Sequence, residues 1–169
     1  VHASRQHQTI DFANMLHSVS SGPVILIDDD FVWCDSYVEH LEDAFRRPFN
    51  MAFIGQGSNG MLIKNVDDIR RLANYLLDHV AKSHVDVLMY QFAASQKTCI
   101  GRAEMRVSRH KGLRSSFENV KYEDDNFCGM PMFSKGSGNV FGVEWGPKTD
   151  NRWRMRDCDA GQTTQHTRE

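Results

Sequence analysis

The sequence predicts an α/β domain, because segments with helical periodicity alternate with short apolar runs that are typical of strands. The clearest strand is the run Pro-Val-Ile-Leu-Ile at residues 23–27, which we expect to be buried. The clearest helix carries an apolar stripe made of Ile69, Leu72, Ala73, Leu76, Leu77 and Val80. With 169 residues, 40% of them hydrophobic and 25% charged, the chain is long enough to bury a core.

The first half of the chain predicts two helices around a strand. Residues 5–20 form the first helix, with Ile10, Ala13, Leu16 and Val19 at helical spacing. Ser21-Gly22-Pro23 ends that helix before a strand at residues 24–28. Ser36 and Glu39 have the spacing of a capping box, which predicts a second helix. Its apolar stripe comprises Val38, Leu41, Ala44 and Phe45, and it ends before Pro48.

The next segment predicts further alternation. Two short strands, at residues 51–54 and 61–64, flank a glycine-rich turn, and Asn65 and Asp68 open the strongly periodic helix. A buried helix follows at residues 87–92, with Asp86 in its first turn. Glu104 to Ser108 then has the pattern of a strand that leads into a loop at residues 109–112.

Beyond residue 117 the apolar residues become sparse, so we divide the chain into a core at residues 1–117 and a small extension at 118–169. The extension predicts irregular or β structure, with a short strand pair within residues 138–145. From Asp157 onward the composition predicts disorder.

Charge and hydropathy exclude several classes of partner. A net charge of −2 gives no electrostatic basis for binding nucleic acid or a membrane surface. No run reaches the 18 or more apolar residues that a membrane span needs, and residues 1–5 lack the apolar core of a signal peptide. We therefore expect any targeting segment to lie outside this chain.

The four cysteines, Cys34, Cys99, Cys128 and Cys158, lack the close spacing of a zinc site. Free thiols or one or two structural disulfides are the simplest interpretation. Four cysteines allow three pairings, and the spacing does not choose among them.

The most informative motif is the acidic triplet, Asp28-Asp29-Asp30, directly after the predicted strand at residues 24–28. Three adjacent carboxylates repel one another unless a cation or protonation offsets the repulsion. A divalent metal ion is the simplest partner. The alternative is that one aspartate caps a turn while the others are solvated.

Other candidate residues also have simpler interpretations. Gly55, Gly57 and Gly60 would let the backbone approach a ligand closely, or would only form a turn between two strands. Asp86 lines a helix start, where it could merely act as an N-cap. His110, considered alone, is more often a surface residue than a ligand.

Taken in order, five segments resemble the N-acetylglucosaminyltransferase IV family. A similar layout is found in the Golgi transferase that adds N-acetylgalactosamine to glycosylphosphatidylinositol anchors. The resemblance covers roughly residues 5–117, and its most specific parts are the acidic triplet and the segment His-Lys-Gly-Leu-Arg-Ser-Ser that begins at His110. The five segments are Arg5-Gln6 to Asp11-Phe12, residues 24–30, Phe53-Ile54-Gly55 with Gly60-Met61, residues 85–88, and residues 109–116.

The resemblance implies a GT-A glycosyltransferase fold, a Rossmann-like sheet that binds a sugar nucleotide at the carboxyl ends of its strands. It implies that Asp30, and Asp28 through water, hold manganese or magnesium, with His110 completing the metal shell. Imidazole favours manganese over magnesium. Such an ion would bridge the two phosphates of a UDP leaving group. Asp29 would face the ribose or the sugar.

The resemblance also assigns the remaining roles. Asp86 matches the base that deprotonates the acceptor hydroxyl in inverting enzymes. Gly55, Gly57 and Gly60 would form the loop that the donor and acceptor approach, and Lys111 and Arg114 would contact the diphosphate. The expected donor is UDP-N-acetylglucosamine, the acceptor a glycan on protein or lipid, and the location the Golgi or secretory lumen.

Two features depart from the family. Only 27 residues precede the triplet, where the family has several nucleotide-binding strands, so we expect the C-terminal part of a GT-A fold, possibly truncated at its N-terminus. The tail does not resemble the family's lectin-like module. The alternatives are a non-catalytic carbohydrate- or metal-binding remnant of such a domain, and an unrelated metal-dependent phosphohydrolase.

Overall fold

The computed structural model describes residues 3–27, 31–55, 60–110, 128, 139–140, 143–144, 152–156 and 158. Four helices are present among them: α1 (Ala3–His17), α2 (Tyr37–Arg46), α3 (Val66–His79) and α4 (Val85–Ser95). The strands are β1 (Val24–Leu26), β2 (Phe31–Trp33), β3 (Met51–Phe53), β4 (Met61–Ile63), β5 (Ile100–Ala103), β6 (Ser108–His110), β7 (Asn139–Val140), β8 (Val143–Glu144) and β9 (Trp153–Arg156).

The main sheet has five strands in the order β1-β4-β3-β5-β9. β3 and β5 are parallel, and the other three pairings are antiparallel. Because β4 lies antiparallel to both β1 and β3, these two strands run in the same direction, and so does β5. The expected mixed α/β class is therefore confirmed, although the sheet is mostly antiparallel. β2 and β6 form a separate two-stranded ribbon, as do β7 and β8.

The core lies around β3 and β4, whose six residues are all fully buried. Helix α3 packs its predicted stripe against this layer, with Ile69, Leu72, Ala73 and Leu76 buried. Leu77 was expected in the same stripe but is 38% exposed, because it lies at the edge of the packed face. The N-cap prediction is confirmed, since Asn65 Oδ1 accepts a hydrogen bond from the Asp68 amide at 2.7 Å.

Helix α2 differs from its prediction in two respects. Ser36 precedes the helix but makes no capping hydrogen bond, so the capping box is wrong. Its backbone, at φ −86 and ψ 8, lies outside the extended region that capping requires, because the Tyr37 amide closes a turn onto the Cys34 carbonyl. The expected apolar stripe is confirmed for half of its members. Ala44 is buried and Leu41 packs half-buried against the core, whereas Val38 and Phe45 are exposed.

Two strand predictions need correction. β1 is an edge strand, and Val24 and Ile25 are only half-buried. The strand predicted at residues 104–108 is wrong, because residues 100–103 and 108–110 are the strands and 104–107 connect them. In this connection the Glu104 carboxylate forms an ion pair with Arg154, and the Met105 side chain is exposed.

The helix predictions at the two ends of the core are largely confirmed. Helix α1 ends at His17 rather than at residue 20, and Ala13 and Leu16 are buried as expected. Helix α4 is longer than predicted and places Asp86 within its first turn. His84 occupies the N-cap position of α4, so Asp86 is not the cap.

Strand β9 comes from the segment that we assigned to the extension, and it pairs with β5 as the last strand of the main sheet. Its Trp153 is fully buried, with its ring 5.1 Å from Phe49, and its indole N–H donates to Asp43 at 2.6 Å. The expected strand pair within residues 138–145 is confirmed as β7 and β8.

All four cysteines form disulfides, Cys34–Cys128 and Cys99–Cys158. The second one ties Cys158 to the residue before β5, so the disorder predicted from Asp157 onward is wrong at Cys158. The rest of that segment lies outside the described residues. No helix among the described residues is long and apolar enough to cross a membrane.

The packing of Trp153 gives a test of the fifth strand. We expect Trp153→Ala to lower the free energy of unfolding by about 3–5 kcal/mol, because it opens a cavity against Phe49. Trp153→Phe keeps most of the ring and loses the hydrogen bond to Asp43, so it should cost about 1–2 kcal/mol.

Urea unfolding monitored by circular dichroism measures both values. Met105→Ala is the control, because Met105 is an exposed apolar residue and its loss should change stability by less than about 0.5 kcal/mol. Equal stability of Trp153→Ala and the control would contradict the placement of β9 in the core.

Candidate functional site

The ribbon of β2 and β6 brings two of the predicted site segments together. Its register places Phe31 opposite His110, Val32 opposite Arg109 and Trp33 opposite Ser108. Residues that face each other in an antiparallel pair have Cα atoms about 4.5–5.5 Å apart. The chain enters β2 directly from Asp30, so the end of the acidic triplet is one residue from the position opposite His110. The two segments are about 80 residues apart in sequence.

Gly60 of the glycine-rich turn is hydrogen-bonded to the end of β1, the strand that precedes the triplet. The Gly60 amide donates to the Leu26 carbonyl at 2.6 Å, and the Ile54 amide donates to the Gly60 carbonyl at 2.7 Å. Leu26 is the last residue of β1, two residues before Asp28. Gly55 is buried beside Gly60. Gly60, the last residue of this turn, therefore lies against the end of β1.

Gly60 is required at its position for a steric reason. Its φ of +81° belongs to the left-handed region, and a Cβ atom there would lie 2.7 Å from Ile54 Cγ1 and 2.9 Å from the Gly55 nitrogen. This contact is explained by the tight turn alone, so it does not decide whether the loop also receives a ligand.

Asp86 belongs to the same edge of the sheet through helix α4. One helical turn further along, Tyr90 is fully buried and stacks on Phe53, with ring centroids 4.2 Å apart and planes 10° from parallel. Phe53 is the last residue of β3. Asp86 is half-buried and lies about 6 Å along the helix from Tyr90.

Three strands that run in one direction define this edge. The carboxyl ends of β1, β3 and β5 are Leu26, Phe53 and Ala103. In open α/β sheets, ligands bind outside the carboxyl ends of the parallel strands. The triplet follows β1, the glycine turn follows β3, and Asp86 is linked to β3 by the Tyr90–Phe53 stack. Of the candidate residues in these three segments, the structure describes Gly55, Gly60 and Asp86, and these three lie near the carboxyl ends of β1 and β3.

His84 is a neighbour of Asp86 that the sequence analysis did not single out. Arg5 of α1 donates a hydrogen bond to the His84 ring. Burial lowers the pKa of His84 from its ordinary 6.5, the charge of Arg5 lowers it further, and Asp86 acts in the opposite direction. The neutral ring is needed as the acceptor for Arg5. Its position two residues before Asp86, at a helix start, was the available sequence signal.

Several predicted site residues lie outside the described residues: Asp28, Asp29, Asp30, Gly57, Lys111 and Arg114. Within the described ranges, no group of three or more His, Cys, Asp or Glu side chains is arranged to hold a metal ion. The expected ligands Asp28 and Asp30 are not in those ranges. The structure does describe residues on either side of the triplet. Before it, Leu26 is hydrogen-bonded to Gly60, and after it, Phe31 is paired with His110.

No protein-family model, curated protein or solved structure matches this chain. The site must therefore be interpreted from its own residues.

The turn at Gly60 can be tested against a second glycine with the same backbone conformation. Gly22 has φ +78° but open space around its missing Cβ. Gly22→Ala should cost about 1 kcal/mol of stability from backbone strain alone. Gly60→Ala adds the displacement of Ile54 and Gly55, so we expect a further 1–3 kcal/mol, roughly. Thermal unfolding compares the two variants, and equal losses would show that the turn is not packed as described.

The lowered pKa of His84 predicts how stability changes with pH. Above the ordinary value of 6.5 the ring is neutral in both states and contributes no pH dependence. Below 6.5 the unfolded chain takes up the proton before the folded one, so stability falls with falling pH.

The His84→Gln variant should lose less stability than the wild type between pH 7.5 and 5.5, as measured by urea midpoints. His7→Gln, at an exposed position of α1, serves as the control and should follow the wild type. The interpretation fails if His84→Gln and His7→Gln show the same pH dependence.

Proposed function

We propose that this chain is a metal-dependent, inverting glycosyltransferase domain that transfers a sugar, N-acetylglucosamine, from a UDP-sugar to a glycan on protein or lipid. The observation that carries the proposal is the β2–β6 register. It places Phe31, the residue after the acidic triplet, opposite His110. The family resemblance assigns the triplet and His110 to one metal site.

The residues that would hold the metal ion are Asp30, Asp28 and His110. Carboxylate oxygens with one imidazole suit manganese, and carboxylates and water alone would suit magnesium. Such an ion would neutralise charge on the diphosphate as the glycosidic bond breaks. The backbone geometry supports this set, because His110 lies opposite the residue that follows Asp30.

The other residues would act on the substrates directly. Asp86 would accept the proton of the acceptor hydroxyl while that oxygen attacks the anomeric carbon and UDP leaves from the opposite face. Asp86 lies half-buried in the first turn of α4. Asp29 would contact the ribose or sugar, and Lys111 and Arg114 would bind the diphosphate.

The sheet supports a GT-A assignment in one respect. β1, β3 and β5 run in the same direction, so their carboxyl ends lie at one edge of the sheet, and in sequence the triplet follows β1 and the glycine turn follows β3. The loop of Gly55, Gly57 and Gly60 would line the path of the donor sugar. Gly60 already forms backbone hydrogen bonds with Leu26, the last residue of β1, at 2.6 Å and with Ile54, the residue after β3, at 2.7 Å.

The disulfides support a location in the secretory lumen. Proteins that stay in a reducing compartment rarely keep structural disulfides, whereas secretory and extracellular proteins often do. Here every cysteine is paired. This chemistry agrees with the Golgi location that the family resemblance implies.

Metal binding tests the proposed site without requiring an acceptor. The wild type should bind Mn²⁺ in calorimetry, and at a hundred times the Kd the ion should stabilise the fold by about 2.7 kcal/mol. Asp30→Ala should remove both effects. Asp35→Asn is the control, because Asp35 is an exposed aspartate just beyond β2, and it should bind as the wild type does.

The same experiment continues with Asp86. Asp86→Asn should keep metal and UDP-sugar binding while transfer to released N-glycans falls about 100-fold or more, because the proton acceptor is gone. Asp67 occupies the same second position of α3, so Asp67→Asn is a matched control and should keep full transfer. Parallel loss of metal binding in Asp30→Ala and Asp86→Asn would reject the assigned roles. Metal binding with no transfer by the wild type would favour a non-catalytic remnant.

A further inference from the structure

The β2–β6 ribbon presents aromatic side chains beside the candidate metal position. Phe31 and Trp33 are two residues apart on β2, so their side chains lie on the same side of the ribbon. Both are half-buried. The Trp33 ring stacks on Tyr37 at the start of α2, with centroids 5.1 Å apart and planes 23° from parallel. Tyr37 is half-buried as well, so the stacked pair keeps part of its surface exposed to solvent.

A buried hydroxyl lies on the same side of this ribbon. Ser108 is opposite Trp33 in the register, and facing residues of an antiparallel pair share one face. Ser108 is only 5% exposed, and its Oγ is buried with no hydrogen-bond partner among the described residues. Buried polar atoms are nearly always paired, so the Ser108 hydroxyl has hydrogen-bonding capacity that no described residue uses.

We propose that Phe31, Trp33, Tyr37 and Ser108 form a subsite for a pyranose ring of the acceptor glycan. We call these four residues the aromatic subsite. The inference rests on the proposed sugar transfer. One face of a pyranose carries mainly C–H groups, which pack on an aromatic ring, while its hydroxyls require hydrogen-bond partners at the edge of that ring. Trp33 would supply the ring and Ser108 the hydrogen bond.

The position of the aromatic subsite fits an acceptor. Trp33 and Ser108 form one register pair, and Phe31 and His110 form another. The two pairs are two residues apart along each strand. This separation is about 7 Å along the ribbon, which leaves room for one sugar unit. A sugar stacked on Trp33 would thus place the neighbouring sugar of its chain beside the metal position. None of the four side chains is charged, which suits a neutral sugar rather than a phosphate.

A uracil base is also flat and would stack on Trp33, so the test must separate the two ligands. The wild-type chain, free of metal, is titrated with N,N′-diacetylchitobiose and, separately, with uridine. The indole N–H signals in NMR report binding at Trp33. Diacetylchitobiose should bind and uridine should not.

Substitutions at Trp33 test the stacking surface. Trp33→Leu should weaken diacetylchitobiose binding about tenfold, because it removes the flat ring, and Trp33→Phe should restore most of the affinity. For these variants the readout is calorimetry. Phe45→Leu is the control, since Phe45 is an exposed aromatic residue of the same helix as Tyr37 and lies outside the aromatic subsite.

Ser108→Ala gives a result that a purely structural role would not produce. Removing an unpaired buried hydroxyl should leave the thermal midpoint unchanged or raise it. The same variant should bind diacetylchitobiose about three- to tenfold more weakly, because the sugar loses its partner. Stability and affinity would then change independently of each other.

The outcomes separate this inference from the proposed transferase. If diacetylchitobiose binds and Trp33→Leu weakens it, the aromatic subsite is supported even where Mn²⁺ fails to bind and the transferase proposal is rejected. The inference is overturned if the wild type does not bind the sugar, if it binds only uridine, or if Trp33→Leu and Ser108→Ala bind as the wild type does.

Discussion

The pairing of β2 with β6 is the constraint on which the candidate site depends. Three register pairs hold together segments about 80 residues apart, and one of them sets His110 opposite the residue after the acidic triplet. The pairing continues past the strands, where the buried Cys34 donates its amide to the Val107 carbonyl at 2.9 Å. The Cys34–Cys128 disulfide anchors that same end. A metal site that draws ligands from both strands would be preorganised by this ribbon rather than assembled by the ion.

The main sheet holds the other described candidate residues. Its central strands β3 and β4 are fully buried, and the turn between them is attached to the end of β1 by the Gly60 amide. The Phe53–Tyr90 stack attaches helix α4, and with it Asp86, to the end of β3. Asp86 is thereby held on a rigid element, which is what the proposed role in catalysis by positioning would require.

The sequence was informative where the interactions are local. The stripe of α3 and its Asn65 cap involve residues within a few turns of one another, so periodicity and capping rules predicted them. Long-range contacts were not predictable. The Trp153 hydrogen bond to Asp43 spans 110 residues, the pairing of cysteines had three solutions, and a three-residue strand such as β2 is too short to show a period. Ser36 does not cap α2, because the turn closed by the Tyr37 amide and the Cys34 carbonyl holds its backbone outside the extended region.

The most direct test of the central claim is to observe whether one ion contacts both strands. Mn²⁺ is paramagnetic and broadens the NMR signals of nearby nuclei. At substoichiometric Mn²⁺, the His110 ring signals should broaden first among the eight histidines, and Asp30→Ala should abolish that selectivity. Broadening that leaves His110 unaffected, or that is unchanged in Asp30→Ala, would contradict a shared metal site.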